Sequence, residues 1–263
     1  AGSVALTDEG VRVLRRTAHS YPTLRSAALR GRTRCHAAAR RGLLVDLHCD
    51  ETDDPASRHI ETLALHARRL GLSGRVAGSH LTSMHSMDNY YVSKLIPLIA
   101  EAGVAAIANP LINITIQGRH DTYPKRRGMT RVPELMAAGI DVAFGHDCVL
   151  DPWYPLGSGD MLEVAHMGLH VAQMTGQAAM RACFDAVTVV PARILGLSGY
   201  GLAPGCHADF VLLDARDPVE AIRLRAARLA VVRRGRIVAR TPAATAALDL
   251  PGRPATTNFR IGR

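Results

Sequence analysis

Residues 43–51 read LLVDLHCDE. An apolar run ends in His48, and Glu51 follows three residues later. A short apolar run bounded by polar residues is the pattern of a strand buried on both faces. Three further runs have the same form: RVAGSH (75–80), VAAIAN (104–109) and IDVAFGHD (140–147). With LLVDLH (43–48), they begin 32, 29 and 36 residues apart. Helical stretches fill the gaps: ASRHIETLALHARRLG (56–71), DNYYVSKLIPLIAEAG (88–103) and TRVPELMAAG (130–139). Each ends in glycine, and Asp88 is placed to cap the second. Strands alternating with helices at this rhythm predict βαβ units and a parallel sheet.

Each of the four runs ends in polar residues: His48, His80, Asn109 and His146-Asp147. In a parallel α/β barrel, the C-terminal strand ends open into one shared mouth where catalytic groups gather. A lone histidine at a strand end is more often a hydrogen-bonded structural residue than a ligand. Four consecutive ends bearing His, His, Asn and Asp point to a site. Imidazole and carboxylate are good ligands for Zn²⁺ or Fe²⁺. Glu51 has the reach to carry protons beside such a metal. Read alone, it is one acid of the solvated run ETDD.

Past residue 160, two helical segments (GDMLEVAHMGLHVAQMTG and QAAMRACFDAVTVVPARILGL) precede a different style. From 199 to 250, GYGLAPGCHADFVLLDARDP and ARLAVVRRGRIVAR read as short antiparallel strands forming a small β-module. The tail, 251–263, is expected to be mobile. Residues 1–41 are Arg/Ala-rich without a clear strand, and are expected either to be foreign to the fold or to form a basic surface helix. The catalytic domain then spans 42–198.

Charge and composition narrow the function classes. The 263 residues carry a formal charge of +9, but residues 1–41 contain nine Arg and two acids, a net of +7, leaving +2 for the other 222. The basicity belongs to one aromatic-poor segment, so nucleic-acid binding is not expected. No run of about 18 uncharged apolar residues occurs, so no membrane helix is expected. The five cysteines lack CxxC spacing, which fits reduced thiols in the cytoplasm.

The blocks VDLHCDETDD, GSHLTSMHSMDN, ANPLINITIQGRHDTYPKRRGMTRV and GHDCVLDPWYPLGSGDMLEVAHMGLH, in this order, resemble bacterial cytosine deaminases of the amidohydrolase superfamily. The resemblance runs from about residue 42 to about residue 245. It implies a metal-dependent TIM-type barrel, of which these strands are the last four (strands 5–8), followed by the superfamily's small β-sandwich. His48 resembles the fifth-strand histidine that binds the metal. Glu51 resembles the glutamate that passes a proton to the pyrimidine ring nitrogen. His80 resembles the sixth-strand histidine that orients and polarises the attacking water. Asp147 resembles the eighth-strand aspartate that contacts the metal and takes the water proton. Trp153 resembles a tryptophan lining the substrate pocket. Cys148 stands where the best-known members carry a second aspartate in that pocket, which leaves room for isocytosine or another cyclic amidine. The implied reaction is attack of water on the amino-bearing ring carbon, with release of ammonia and Fe²⁺ or Zn²⁺ as cofactor.

The superfamily's first strand carries an HxH pair, and this sequence contains no HxH. The chain as written is therefore expected to hold metal weakly and turn over little. A non-catalytic remnant acting as an interaction partner is the competing reading. The side edges of strands 43–48 and 140–147 are expected to lie open and to favour self-association into a homo-oligomer. His166 and His170 share i, i+4 spacing but lack the glutamate of HExxH, and read as helix packing. His85 reads as a loop residue, and His59, His66 and His207 as surface or packing residues. Lys125, Arg126 and Arg127 either order the rim of the site or are solvated. Met161, Met167, Met174 and Met180 read as helix core.

Overall fold

The structure, a computed structural model, describes Val4–Leu6 and Arg12–Leu14, residues 35–244 and residues 247–255. Most of the basic head and residues 256–263 of the tail lie outside the described residues.

The main sheet has six strands in chain order: β1 (Val4–Leu6), β2 (Arg12–Leu14), β3 (Leu44–Cys49), β4 (Val76–His80), β5 (Val104–Ala108) and β6 (Val142–Phe144). The β1–β2 pair is antiparallel; every later pair is parallel. Sequential parallel strands joined by helices are the half-barrel arrangement expected from the sequence. The edge of strand 43–48 does not lie open along its whole length. Val13 pairs with Leu44 and Leu14 with Val45, so β2 satisfies the backbone at the start of β3. The edge of β6 is also partly engaged, since the Phe144 N–H donates to Ala186 O at 2.8 Å.

Residues 35–41 are helical (α1), with Cys35 and Ala38 in the core. In α2 (His59–Arg69), Ile60, Leu63, Ala64 and Ala67 recur at helical spacing and are buried. This face lies close to β4. A Cβ built on Gly78 would stand 3.2 Å from Ile60 Cδ1, so glycine there lets helix and sheet approach. In α3 (Asn89–Ala102), Asp88 caps the N-terminus by accepting from the Tyr91 N–H at 2.8 Å. Its end is Gly103, at φ 60. The next helices are α4 (Pro110–Ile116), α5 (Val132–Ala137), α6 (Met161–Val171), α7 (Gln177–Asp185) and α8 (Val189–Ile194). Met174 is buried, and Met161, Met167 and Met180 pack against the core.

The C-terminal part holds a three-stranded antiparallel sheet in order β7 (Phe210–Leu213), β8 (Arg228–Arg233) and β9 (Arg236–Arg240), with α9 (Pro218–Leu224) between the first two. The loop from β8 to β9 has two residues, Arg234 at φ 49 and Gly235 at φ 73, a hairpin of the primed type. Arg228 on β8 is ion-paired with Asp160, the N-cap of α6, which ties this sheet to the main domain.

Candidate active site

Parallel strands β3 to β6 deliver their C-terminal ends to one side, and the polar residues found there converge. On β3 and β4, His48 registers with Ser79 and Cys49 with His80. His80 is fully buried, whereas the His48 side chain is 38% exposed. The His80 Nε2 lies 3.0 Å from His48 Nδ1 and 3.8 Å from Asp147 Oδ2. Donor atoms of His48, His80 and Asp147 all lie within 4.8 Å of one another, the one group among the described residues able to hold a metal ion. Two imidazoles and a carboxylate suit Zn²⁺ or Fe²⁺.

Glu51 bridges the two histidines. Its Oε1 is 3.3 Å from His80 Nδ1, and its Oε2 is 3.8 Å from His48 Nδ1. The Glu51 carboxylate raises the pKa of His48, against the opposing effect of burial. Burial lowers that of His80. His80 is therefore the histidine kept neutral at the bottom of the site.

The backbone here is held in an unusual shape. Asp50, His80, Leu81 and Asp147 have φ of 56, 74, 51 and 66°. Left-handed backbone costs a non-glycine residue about 1–2 kcal/mol, and it persists only where surrounding contacts over-determine it. Those contacts are visible around Asp50. Its buried carboxylate accepts from the His59 N–H (2.8 Å), His59 Nδ1 (2.7 Å), the Ile60 N–H (2.9 Å) and Ser57 Oγ (2.8 Å). Burial pushes the Asp50 pKa up, but these donors outweigh it and lower it overall. Asp50 thus caps α2 from a distance and pins the residue next to Glu51.

Sequence reasoning missed Asn113. It lies on the first turn of α4, four residues after the strand-end Asn109. Its Oδ1 accepts from the Asn109 N–H at 3.2 Å, which leaves its Nδ2 to donate to His80 Nδ1 at 3.0 Å. The Asn109 Nδ2 reaches the same ring nitrogen at 3.2 Å. The two amides and the Glu51 carboxylate converge on His80 Nδ1 and fix the ring with Nε2 facing His48 and Asp147. A polar residue one helical turn beyond a polar strand end was the only sequence trace of this role.

The remaining expected residues lie in the loop after β6. The Cys148 thiol is pushed up to about 12 by burial, by hydrogen bonding to Asp151 and by the charges of Asp147, Asp151 and Glu51. It is a neutral thiol beside the acidic side of the site. Trp153 is 60% exposed, and its backbone N–H donates to Asp151 Oδ1 at 2.9 Å. The structure thus brings His48, Glu51, His80 and Asp147 together and sets Cys148 beside them. It leaves Trp153 on the outer loop. Its neighbour Tyr154 is buried, edge-on to the ring of His146. His166 and His170 engage backbone carbonyls of Ile222 and His166, a packing role. The Arg126 side chain orders the rim, as described below.

Comparison with known proteins decides the family. The family model described as "Amidohydrolase family" matches residues 1–239. The chain belongs to the amidohydrolase family. The matched span takes in the Arg-rich head as well as the sheet. Among curated amidohydrolase relatives, a pterin deaminase from Rhizobium rhizogenes is 34% identical over 207 residues, 78% of this chain and 47% of its own length. Among solved structures, 5-methylcytosine deaminase from Klebsiella pneumoniae is 42% identical with TM-score 0.84, covering 89% of this chain and 57% of its own. N-isopropylammelide isopropylaminohydrolase from Burkholderia multivorans is 30% identical with TM-score 0.67, covering 80% and 52%. The chain therefore spans about half the length of the amidohydrolases it matches.

Proposed function

We propose that this amidohydrolase site performs hydrolytic deamination of an amino-substituted nitrogen heterocycle, with a cytosine-type ring, 5-methylcytosine included, as substrate. The observation that carries this reading is the bridge made by Glu51 between buried His80 and exposed His48, with Asp147 opposite. A proton-carrying carboxylate beside a cation-holding imidazole and carboxylate, with a second imidazole next to them, suits cleavage of a ring C–N bond by water. The deaminase names of two relatives support it.

His48 and Asp147 would hold a divalent cation, Zn²⁺ or Fe²⁺. When bound, such a cation supplies Lewis acidity that lowers the pKa of water from 15.7 to about 7. The chain's residues do the rest. His80, held in orientation by its two asparagine neighbours and Glu51, orients the attacking water. Water adds to the amino-bearing ring carbon. Glu51 protonates the adjacent ring nitrogen, so that negative charge does not accumulate there. Asp147 takes the water proton, which passes to the amine. As the C–N bond breaks, the remaining hydroxyl proton returns to Glu51, leaving the ring as a carbonyl and the amine as ammonia. Cys148, a neutral thiol in the loop after β6, would favour an apolar ring substituent over a charged one.

Catalytic zinc commonly keeps three protein ligands. His80 is committed to its hydrogen bonds, which leaves two among the described residues, and two alone would hold the cation weakly and turn over slowly. The test is ammonia release from cytosine, 5-methylcytosine, isocytosine and a pterin, with and without added Zn²⁺ or Fe²⁺. Slow release that rises with added metal is the expected result. No release from any ring at saturating metal would overturn the reading.

A further inference from the structure

The acidic run ETDD (51–54) reads in the sequence as a solvated cluster, and DTYPKRRG (121–128) as a distant basic loop. The structure joins them. The Asp53 carboxylate is engaged on both oxygens: Oδ1 by His85 Nε2 at 2.9 Å and Oδ2 by the Gly118 N–H at 2.8 Å. Its backbone carbonyl accepts from Arg126 Nη1 at 3.1 Å. The same Nη1 donates to Ser86 Oγ. The other face of Arg126 is locked to Asp121, with Nε at 2.8 Å and Nη2 at 2.7 Å from its two oxygens. Lys125 Nζ donates to Gly118 O at 3.1 Å. The Thr82 hydroxyl reaches Asp50 O at 3.0 Å and Thr52 O at 3.3 Å. Both residues adjoining Glu51 are therefore held through their carbonyls from the β4 loop.

Three loops thus meet on Asp53: the one after β3 that carries Glu51, the one after β4 and the one after α4. The His85 side chain is only 7% exposed, and its Nδ1 is buried without a hydrogen-bond partner. A carboxylate can only accept, so the His85 proton sits on Nε2 and the ring has a single productive orientation, toward Asp53. A buried imidazole left half-satisfied is a cost.

We infer that Asp53 is a positioning residue for Glu51: with His85, Gly118 and Arg126 it clamps these three loops and fixes the carboxylate of Glu51 over the histidine pair. The clamp lies two residues from Glu51 and outside the donor set, so it acts on geometry and not on the cation. This inference rests on the proposed role of Glu51. Misplacing a catalytic group by about 1 Å costs up to roughly 100-fold in rate.

The experiment compares Asp53→Ala and the milder Asp53→Asn with the unaltered chain and with Glu51→Gln. Hydrogen–deuterium exchange is read over residues 50–57 and 117–127, and kcat and KM for ammonia release are measured where turnover is present. Asp53→Asn keeps one acceptor oxygen and can serve only one of His85 and Gly118, so it is expected to fall between the unaltered chain and Asp53→Ala. Asp53→Ala is expected to raise exchange in both loops while β3 and α2 stay protected. Its kcat falls at least about tenfold with little change in KM. Placed in the Glu51→Gln background, it causes no further loss, because the group it positions is already gone. Unchanged exchange in both loops, or an equal loss of kcat in the two backgrounds, would overturn the inference. If the unaltered chain releases no ammonia from any ring, the functional reading falls, and the exchange pattern alone then decides the clamp.

Discussion

At the scale of the residue, Glu51 and Asn113 make opposite cases. Glu51 was legible: three residues past a strand-end histidine, inside HCDE, it matches a known pattern, and the structure sets it between His48 and His80. Glu51→Gln keeps the shape and removes the titratable proton. Ammonia release should fall by about 10²–10⁴-fold, the usual contribution of a proton carrier, with the melting temperature little changed. Asn113 was not legible, because its role depends on a partner 33 residues earlier in the chain. Asn113→Ala would strip the Asn109 N–H of its buried side-chain partner and His80 Nδ1 of one of its two amide contacts. The cost in unfolding free energy should be about 1–3 kcal/mol per group left unsatisfied, read by denaturant titration. Nitrogen NMR should then show a shifted tautomer balance at His80. Asp53 was misread for a similar reason. A run of acids looks solvated until the fold brings His85 and Gly118 to it.

At the scale of the element, period and punctuation carried most of the reading. The four apolar runs are the four strands β3 to β6, and Asp88 and Gly103 bound α3 as their chemistry requires. The structure trims these elements: IDVAFGHD yields a strand of only Val142–Phe144, because Asp147 turns left-handed to face the site. Strands β1 and β2 escaped notice, since three residues are too few to show a period, and pairing with β3 is what orders β2. Helix α6 offers a test of how the two parts are joined. Asp160 caps it by accepting from the Leu162 and Glu163 N–H groups, and also pairs with Arg228 on β8. Arg228 holds the Asp160 carboxyl below the ordinary carboxylate range. A carboxylate with a lowered folded pKa stabilises fully above its unfolded value of about 3.9, and that contribution drains away as pH falls through the lowered folded value. Both side chains are partly exposed, so the pair should contribute about 1 kcal/mol or less. Asp160→Asn keeps a capping oxygen but loses the pair, and should flatten the acid limb of the stability curve below pH of about 4. Asp160→Ala should cost about 1 kcal/mol more at neutral pH, through loss of the cap. Thermal unfolding of the three proteins between acid and neutral pH checks both.

At the scale of the whole molecule, the family match places the chain among amidohydrolases, and the sheet order gathers its polar strand ends at one end of a parallel sheet. The sheet and its polar end were readable from strand spacing and the residues at strand ends, since both are local in sequence. The loops that hold the site rigid were not readable, because their contacts join residues 26 to 73 positions apart. The most direct test of the site is titration of the metal-free chain with Co²⁺, followed by visible absorption, beside His48→Ala and Asp147→Ala. One Co²⁺ per chain, bound weakly by the unaltered protein and lost in both variants, is the expected result. Binding that survives in both variants, or none at millimolar Co²⁺ in the unaltered chain, would contradict a cation site at His48 and Asp147.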